Sequence, residues 1–444
     1  MLQRVTFASV ILMVLVSVTD CPSQQGTLPS KKSTPGISNA DRERALGILD
    51  GVSRGIQSLY YDPKMNGIDW NAVLARARVK ISGSDSLNDA LTQIAIAVSE
   101  LNDSHTNFEP PARPYGLDFG FDYQIFWSAC LVSRVRPGSD AEAKGLKPGQ
   151  QILSINGTLP NRLNLHSIEY LDYVLNPRPE MLVEIDSPLA GKKKVTVTAK
   201  MTMSSDLAYR PGAGVRYDVI RSSQNVQHRM RMQWVQIGDI YILRMPWFFY
   251  DAEDFYELGK KIRKGRGLIV DLRGNPGGAV ETLKYFTGMF YDHDVKLCDR
   301  VGRKKTQAEI AKSEHAIYFP GKLVVLVDSE SASAAEIFAR VVQLEKRGKV
   351  IGDKTSGSVM EATGYYFASS GIDYGAEVTI ANVVMSDGKS LEHRGVMPDE
   401  IALPQSDDLG TGRDPVLAQA AQELGVIVSP ENAGKLFPYE WPKD

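Results

Sequence analysis

The sequence has few of the features that stabilise a chain by covalent or metal links. Its 444 residues include three Cys, namely Cys21, Cys130 and Cys298, and no CxxC pair, which excludes a fold held together by a dense disulfide framework. A Cys130–Cys298 bridge after export and two buried free thiols are the alternatives left open. The six His residues are scattered, with no HExxH, P-loop or GxGxxG pattern, so we expect neither a metal nor another cofactor.

An excess of one charge and long internal apolar runs are also missing. Lys and Arg number 51 against 53 Asp and Glu, a net charge of -2, so the chain lacks the basic footprint of a nucleic-acid-binding protein. No internal apolar run has helix length, and we expect no membrane-spanning segment in the mature chain. The length predicts several domains, and the hydrophobic content of 43% is that of an ordinary globular protein.

The first 21 residues differ from the rest. Arg4 precedes an apolar run from Phe7 to Val18 that is short for a membrane span; this is typical of a secretory signal peptide, and a buried N-terminal helix is the alternative. We therefore expect a periplasmic or secreted protein. Cys21 loosely resembles a bacterial lipoprotein cleavage site, which makes a lipid anchor there a second alternative. Residues 22–39 are rich in Ser, Pro and Gly and predict a flexible linker.

Changes in pattern along the chain predict a multidomain α/β protein. Apolar spacing of three and four residues indicates a helical N-terminal unit, whereas short strands and Gly turns indicate a small β-rich domain after it. Strand–turn–helix units then predict a larger domain with a mostly parallel sheet covered by helices. The expected segments are a helical unit at 40–112, a β-rich domain at 113–203, a connecting segment at 204–236, the α/β core at 237–425 and a tail at 426–444.

Two stretches fall where strands of the parallel sheet should end, which is where such sheets bind ligands. "DLRGNPGG" (Asp271 to Gly278) follows one buried strand, and "DSESASAAEIF" (328–338) follows the next. Paired glycines expose backbone N–H groups that suit an oxyanion hole, although a plain strand-to-helix turn explains them equally. Ser333 with Glu336 forms an ordinary capping box, yet a Ser at a helix start is also well placed as a nucleophile.

A serine nucleophile needs a base and a group that orients the base. His105 lies in "LNDSHTNF", at the end of a helical segment, and Glu392 lies in a polar turn. Taken singly, a lone His is usually structural and a Glu in a turn is usually solvated. Each of these elements alone therefore favours the ordinary structural interpretation.

Together, "VDLRGNPGG", "LVDSESASAAEIF" and "GKVIGDKTSG" resemble the S41 family of serine peptidases, and "VRPGSDAEAKGLKPGQQILSING" resembles a PDZ domain. The resemblance runs from about residue 40 to about 405. It implies a helical unit, a PDZ domain and a peptidase core that cleaves peptides or unfolded proteins. It further implies Ser333 as nucleophile and the N–H groups of Gly278 and Ala334 as oxyanion hole.

Two branches of that family differ in their base. The processing peptidases use a Lys 25 residues after the Ser, and position 358 here is Ser; Lys354 lies four residues early. The tricorn-like branch uses a His with an adjacent Ser and a distant Glu, which Ser104, His105 and Glu392 match. The resemblance therefore favours the tricorn-like branch, with a Ser333–His105–Glu392 system assisted by Ser104.

PDZ domains hold an extended peptide and its terminal carboxylate on backbone amides. The expected carboxylate loop is "YGLDFGF", with Gly116, Leu117 and Phe119 as peptide-binding residues, although Asp118 adds an unsuitable charge. Recognition of C-termini, binding of internal segments and gating of the active site remain alternatives. A non-catalytic binding protein and a PDZ scaffold on the same fold are the competing hypotheses, and the oligomeric state is open.

Overall fold

The computed structural model describes residues 37–111, 113, 115–187, 191–203, 231–369 and 371–441. The proposed signal peptide, most of the linker, and residues 204–230 of the connecting segment lie outside this part of the chain. Within it, no helix has both the length and the apolar character needed to cross a bilayer.

Three helices form the N-terminal unit: α1 Asn39–Leu59, α2 Trp70–Ser82 and α3 Leu87–Ser99. Each begins at a capping side chain, since Ser38, Asp69 and Ser86 accept hydrogen bonds from backbone N–H groups in the first turn. Their apolar faces form one buried cluster, as the three- and four-residue spacing predicted.

The helical unit is not independent of the core. After α3 the chain forms β1 (Asn107–Glu109), which pairs antiparallel with the long strand β17 (Ile372–Met385). Phe108 of β1 and Tyr374 of β17 join the helical cluster. The segment predicted to be helical at 40–112 therefore ends in a strand that belongs to a sheet of the core.

A second sheet belongs to the β-rich domain. Five strands lie in chain order: β3 Phe121–Phe126, β4 Ala129–Val135, β5 Gln151–Ile155, β6 Glu180–Ser187 and β7 Gly191–Thr198. The short helix α4 (Asp140–Ala143) lies between β4 and β5, and α5 (Leu165–Glu169) continues as a π-helix over Tyr170–Leu175.

The expected carboxylate loop at 115–121 is largely a strand. β2 (Tyr115–Asp118) pairs antiparallel with β8 (Lys200–Met203), so Gly116 and Leu117 are not in a loop. Asp118 forms an ion pair with Arg136 at 2.6 Å, and Phe119 is buried against Tyr173. The prediction of a loop was wrong because β8, the strand that pairs with this segment, lies more than 80 residues further along the chain.

The core contains the predicted, mostly parallel sheet. Its strand order is β18-β15-β14-β11-β10-β9, and only β9 is antiparallel to its neighbour. The strands are β9 Gln233–Ile237, β10 Ile240–Arg244, β11 Gly267–Asp271, β14 Lys322–Val327, β15 Gly348–Gly352 and β18 Glu400–Ile401.

Helices cover both faces of this sheet. α6 (Ala252–Ile262), α7 (Val280–Gly288) and α8 (Ala334–Leu344) contribute to one apolar cluster. α10 (Pro415–Glu423) and α11 (Pro430–Ala433) contribute to the cluster on the other face, and α9 (Ser406–Thr411) precedes them. β11 and β14 lie in the centre and are buried almost throughout, which is the pattern of a parallel strand covered on both faces.

An antiparallel sheet that the sequence did not predict completes the core. Its order is β1-β17-β12-β13, and β16 also pairs with β17. The remaining bounds are β12 Val295–Gly302, β13 Thr306–Ala311 and β16 Met360–Ser369.

Two aromatic side chains of the predicted tail contact the β-rich domain. Tyr439 and Trp441 of the predicted tail lie under the guanidinium groups of Arg134 and Arg136, at 4.2 and 4.9 Å, so the tail contacts the β-rich domain. Cys130 and Cys298 are buried free thiols rather than a disulfide, and burial raises the pKa of each to about 12.

Candidate active site

Three loops meet where β11, β14 and β15 end at the same edge of the parallel sheet. The Gly274 N–H donates to Asp328 Oδ1, and the Ala332 N–H donates to the Asn275 carbonyl, both at 2.9 Å. The Ser356 N–H donates to the Ser331 carbonyl at 3.0 Å. These bonds hold the glycine turn, the serine loop and the turn after β15 together around Ser333.

Ser333 has an unusual backbone conformation. Its φ of 54° and ψ of -118° lie outside the regions that non-glycine residues ordinarily adopt, at a cost of about 1–3 kcal/mol. Its N–H donates to the Ser358 carbonyl at 2.9 Å and to Glu336 Oε2 at 3.1 Å. Such strain persists where the surroundings enforce it and is common at catalytic residues.

Glu336 is the group that holds this conformation. Its buried carboxylate accepts four hydrogen bonds, from the Thr355 hydroxyl and from the N–H groups of Gly357, Ser358 and Ser333. Burial raises the pKa of Glu336 to about 7, although the four donors act in the opposite direction. The expected capping contact of Glu336 is therefore part of a larger arrangement that fixes both the serine and the turn after β15.

The glycine turn lies directly against the serine. A Cβ placed on Gly277 would come within 2.6 Å of Ser333 Cβ and 3.0 Å of the Ala334 nitrogen. The Gly277 N–H is used inside the turn, by Asn275 Oδ1 at 2.8 Å. Only glycine fits this contact, which brings the turn up to the start of α8.

Gly278 is bridged to Phe248 in a parallel arrangement. The bonds of this bridge run from the Phe248 N–H to the Gly277 carbonyl and from the Ala279 N–H to the Phe248 carbonyl. The Gly278 N–H therefore points away from Phe248. Among the residues that the structure describes, neither this N–H nor that of Ala334 has a hydrogen-bond acceptor, and two such donors can stabilise a negatively charged oxygen.

Ser104, His105 and Glu392 form a hydrogen-bonded row. His105 Nδ1 lies 2.7 Å from the Ser104 hydroxyl, which lies 2.9 Å from Glu392 Oε2. Glu392 Oε1 accepts the Ser104 N–H at 2.7 Å. A hydroxyl has one proton to donate; when the ionised Glu392 receives it, Ser104 accepts a proton from His105 Nδ1, which leaves Nε2 as the basic nitrogen of a neutral imidazole.

Consecutive residues of the turn after β15 connect this row to the serine. The Ser358 carbonyl accepts the Ser333 N–H, and the N–H of the next residue, Val359, donates to Glu392 Oε2 at 2.8 Å. Burial raises the pKa of Glu392, and the hydrogen bonds from Val359 and Ser104 oppose the shift. The structure thus brings Ser333, Ser104, His105 and Glu392 to one side of the core, around residues 358 and 359.

The β-rich domain contacts two of the same loops. Gln124 Nε2 donates to Asp328 Oδ2 at 2.7 Å, beside the serine loop. The Trp127 N–H donates to Asp353 Oδ2 at 2.7 Å, and Arg162 forms an ion pair with the same buried carboxylate. The loops that carry the site are therefore also part of the interface with the β-rich domain.

Lys354, the alternative base, belongs to this interface. Its carbonyl accepts a hydrogen bond from Arg162 Nη1 at 2.8 Å, and its N–H donates to Asp353 Oδ1 at 2.7 Å. Ser358, at the position of the family's lysine, directs its hydroxyl to that of Ser356 at 2.9 Å.

Sequence reasoning missed the residues that support the site. Asp103 accepts hydrogen bonds around His105, and Asn275, which is fully buried, joins the glycine turn to both neighbouring loops. Asp103 stands two residues before the His, a spacing that favours an Asx turn. That signal was available in the sequence but is common in ordinary loops.

Two known family models match this chain, one in the core and one in the β-rich domain. The model of peptidase family S41 matches residues 239–402, and that of the PDZ domain matches residues 119–169. The core and the β-rich domain correspond to these two matches.

Relatives in sequence and structure extend the similarity over most of the chain. A putative tricorn protease homolog 2 from Streptomyces coelicolor is 25% identical over 403 residues, 84% of this chain and 31% of the relative. The carboxy-terminal processing protease CtpA of Bacillus subtilis is 28% identical over 280 residues, 60% of this chain and 52% of the relative. The chain thus spans about a third and about half of these two relatives. Mature CPAF has the same fold, with a TM-score of 0.63 at 14% identity over 84% of this chain and 94% of that one.

Proposed function

Because the chain belongs to peptidase family S41 and carries a PDZ domain, we propose that it is a serine endopeptidase acting on peptides or unfolded proteins. Ser333 is the nucleophile, His105 the general base and Glu392 the group that orients the base through Ser104. The observation that carries this proposal is the row from Glu392 through Ser104 to His105 Nδ1, tied by residues 358 and 359 to the Ser333 backbone.

In this mechanism His105 Nε2 takes the proton from the Ser333 hydroxyl as its oxygen attacks the carbonyl carbon of the scissile peptide bond. The carbonyl oxygen becomes negative, and the N–H groups of Gly278 and Ala334 stabilise it. The imidazolium passes its proton to the leaving amine, which leaves an acyl-enzyme on Ser333. Water then repeats the sequence with His105 as base and releases the second product.

The row of hydrogen bonds supports His105 over Lys354 as the base. With the Ser104 hydroxyl donating to Glu392, the imidazole donates its Nδ1 proton to Ser104, and this is the orientation that a neutral base requires. Position 358, where the processing peptidases carry their lysine, is Ser here, and its hydroxyl lies 2.9 Å from that of Ser356. A relay of Ser, His and Glu is therefore favoured over a Ser–Lys dyad.

The decisive experiment compares hydrolysis of a denatured, fluorescently labelled protein by the wild type and by Ser333→Ala and His105→Ala. We expect each variant to lose at least about 10⁴-fold in kcat/KM with an unchanged melting temperature. His293→Ala is the matched control, because His293 is exposed and its contacts in the described part of the chain are with its sequence neighbours Asp292 and Tyr291. A wild type that neither hydrolyses the substrate nor reacts with a fluorophosphonate at Ser333 would instead support a non-catalytic binding protein.

Two further parts of the proposal concern location and the PDZ domain. We propose that residues 1–21 direct export, for which their composition is the support; fractionation of cells expressing the full chain, with and without these residues, tests it.

The contacts of Gln124, Trp127 and Arg162 with the catalytic loops support a role of the PDZ domain in bringing peptide segments to the site. A peptide pulldown with Ser333→Ala tests that role.

A further inference from the structure

The loop that carries Ser104 and His105 is built around the side chain of Asp103. Asp103 Oδ1 accepts hydrogen bonds from the N–H groups of His105 and Thr106, at 3.0 and 2.8 Å, and from the Thr379 hydroxyl at 2.5 Å. Its Oδ2 accepts from the Tyr60 hydroxyl at 2.8 Å. One carboxylate thus collects four donors, two of them from the loop's own backbone.

The other two donors come from distant parts of the fold. Tyr60 stands at the C-terminal end of α1 and is fully buried, and Thr379 is a fully buried residue of β17. The loop has a second bond to Thr379, because the Thr106 hydroxyl donates to that of Thr379 at 3.0 Å. The His105 loop is therefore attached at one point to the helical unit and to the antiparallel sheet.

Tyr60 is a dependable donor. Burial first, and then the neighbouring Asp103, raises the pKa of Tyr60 far above its ordinary value, so its hydroxyl stays protonated at any working pH. Asn66 Nδ2 donates to the Tyr60 oxygen at 2.9 Å and to the Leu101 carbonyl at 2.8 Å, which fixes the direction of the hydroxyl.

We propose that Asp103 is a positioning residue for the general base, an inference that rests on His105 having the role given above. Its Asx turn sets the backbone of residues 104–106, and this places His105 Nδ1 at 2.7 Å from the Ser104 hydroxyl. The helical unit therefore has a part in catalysis through Tyr60. Loss of the turn would displace the imidazole, and displacements of about 1 Å cost about 100-fold in rate.

The test is a comparison of Asp103→Ala with Asp103→Asn. The alanine variant loses all four acceptor contacts, and we expect kcat to fall about 100-fold with KM within about threefold of the wild type, because substrate contacts are untouched. The asparagine variant keeps an oxygen for the N–H groups of His105 and Thr106, so we expect it to recover kcat to within about fivefold of the wild type. A residue needed only for folding would show no such recovery at equal melting temperature.

Asp69→Ala is the matched control. Asp69 caps α2 in the same helical unit, where its side chain accepts the Ala72 N–H at 3.0 Å, and it has no contact with the His105 loop. We expect this variant to lower the melting temperature and leave kcat unchanged. Loss of stability and loss of base positioning are thereby measured separately.

The inference is overturned if Asp103→Ala keeps kcat within about threefold, if its loss lies in KM, or if Asp103→Asn is no better than the alanine variant.

Should Asp103→Ala not fold, the double variant Tyr60→Phe, Thr379→Val decides. It removes two donors and leaves the Asx turn, so we expect about a fivefold fall in kcat, and an unchanged kcat overturns the inference. An active His105→Ala would show that the proposed function itself is wrong, whereas an inactive His105→Ala beside an active Asp103→Ala removes only the positioning role.

Discussion

Ser333 and His105 are held by two parts of the molecule that are built in different ways. The surroundings of Ser333 come from loops that follow β11, β14 and β15, neighbouring parallel strands within about 90 residues of one another. The surroundings of His105 come from residues 103–106 and from Glu392, which are separated by nearly 290 residues.

The antiparallel sheet explains how the distant segments meet. Asn107, two residues after His105, pairs with Glu377 in β17, and β17 leads towards the turn that carries Glu392. The nucleophile thus depends on a parallel sheet formed locally, while the base depends on a non-local strand pairing. We expect changes on the base side to act on proton transfer and changes on the nucleophile side to act on backbone geometry.

The base side is tested most severely by Glu392→Gln. Glutamine keeps one acceptor oxygen. When this oxygen stays on the Ser104 N–H, the NH₂ group faces the Val359 N–H, which loses its acceptor, and the Ser104 hydroxyl, which must turn to donate to His105 Nδ1. The single proton of the neutral imidazole then lies on Nε2, and a protonated Nε2 cannot accept the proton of Ser333. We therefore expect kcat to fall by about 10³-fold with little change in KM.

Steady-state kinetics checks this expectation, with Glu361→Gln as control. Glu361 forms an ion pair with Arg300 in the same antiparallel sheet, and its carboxylate makes no hydrogen bond to Ser104, His105 or Glu392, so its variant should keep full activity. Equal activity of Glu392→Gln and the wild type would contradict the assignment of the proton to Nδ1.

The contrast between the two sides also separates what the sequence could predict from what it could not. Buried strands at Gly267–Asp271 and Lys322–Val327, and the helix Ala334–Leu344, follow from apolar runs and spacing that are local in the chain. The placement of Ser333 beside the glycine pair follows from the rule that parallel strands end at one edge. These elements were predicted from residues alone, and the structure has them.

The antiparallel sheet and the base side could not be derived in this way. β1 has three residues and pairs with a strand more than 260 residues later, so no local pattern identifies it. His105 and Glu392 were weak candidates when each was taken singly, and only the family resemblance assigned them their roles. The strand at Tyr115–Asp118 was missed for the same reason, because it pairs with Lys200–Met203, far along the chain.

The nucleophile side is tested by Glu336→Gln. A glutamine cannot accept hydrogen bonds at both ends of its amide, so either the Thr355–Gly357 pair or the Ser333–Ser358 pair of donors is lost. Loss of the first pair displaces the turn after β15, and loss of the second lets the strained Ser333 backbone relax; in both cases we expect kcat to fall about 30-fold. Kinetics on the labelled protein substrate measures the fall.

The same substitution changes how stability depends on pH. Because burial raises the pKa of Glu336 from 4.5 to about 7, the folded protein binds a proton there more tightly than the unfolded chain. Its contribution to the free energy of unfolding is complete below pH 4.5 and is lost as the pH rises to about 7, a change of about 3 kcal/mol. Urea unfolding at pH 5, 6 and 7 measures the free energy of unfolding, which should fall with rising pH more steeply in the wild type than in Glu336→Gln. An equal dependence on pH in the two proteins would contradict titration of the buried Glu336 carboxyl.

The smallest effect is expected for Lys354→Ala, which tests whether the base side is needed at all. The contacts of Lys354 with Arg162 and Asp353 run through its backbone, and alanine preserves them. If the proton of Ser333 passes to His105, removal of the lysine side chain should leave kcat/KM within about threefold of the wild type and leave its pH profile in place. An inactive Lys354→Ala beside an active His105→Ala would reverse the assignment: the site would then be a Ser–Lys dyad built wholly on the parallel sheet, and the antiparallel sheet would have no part in proton transfer.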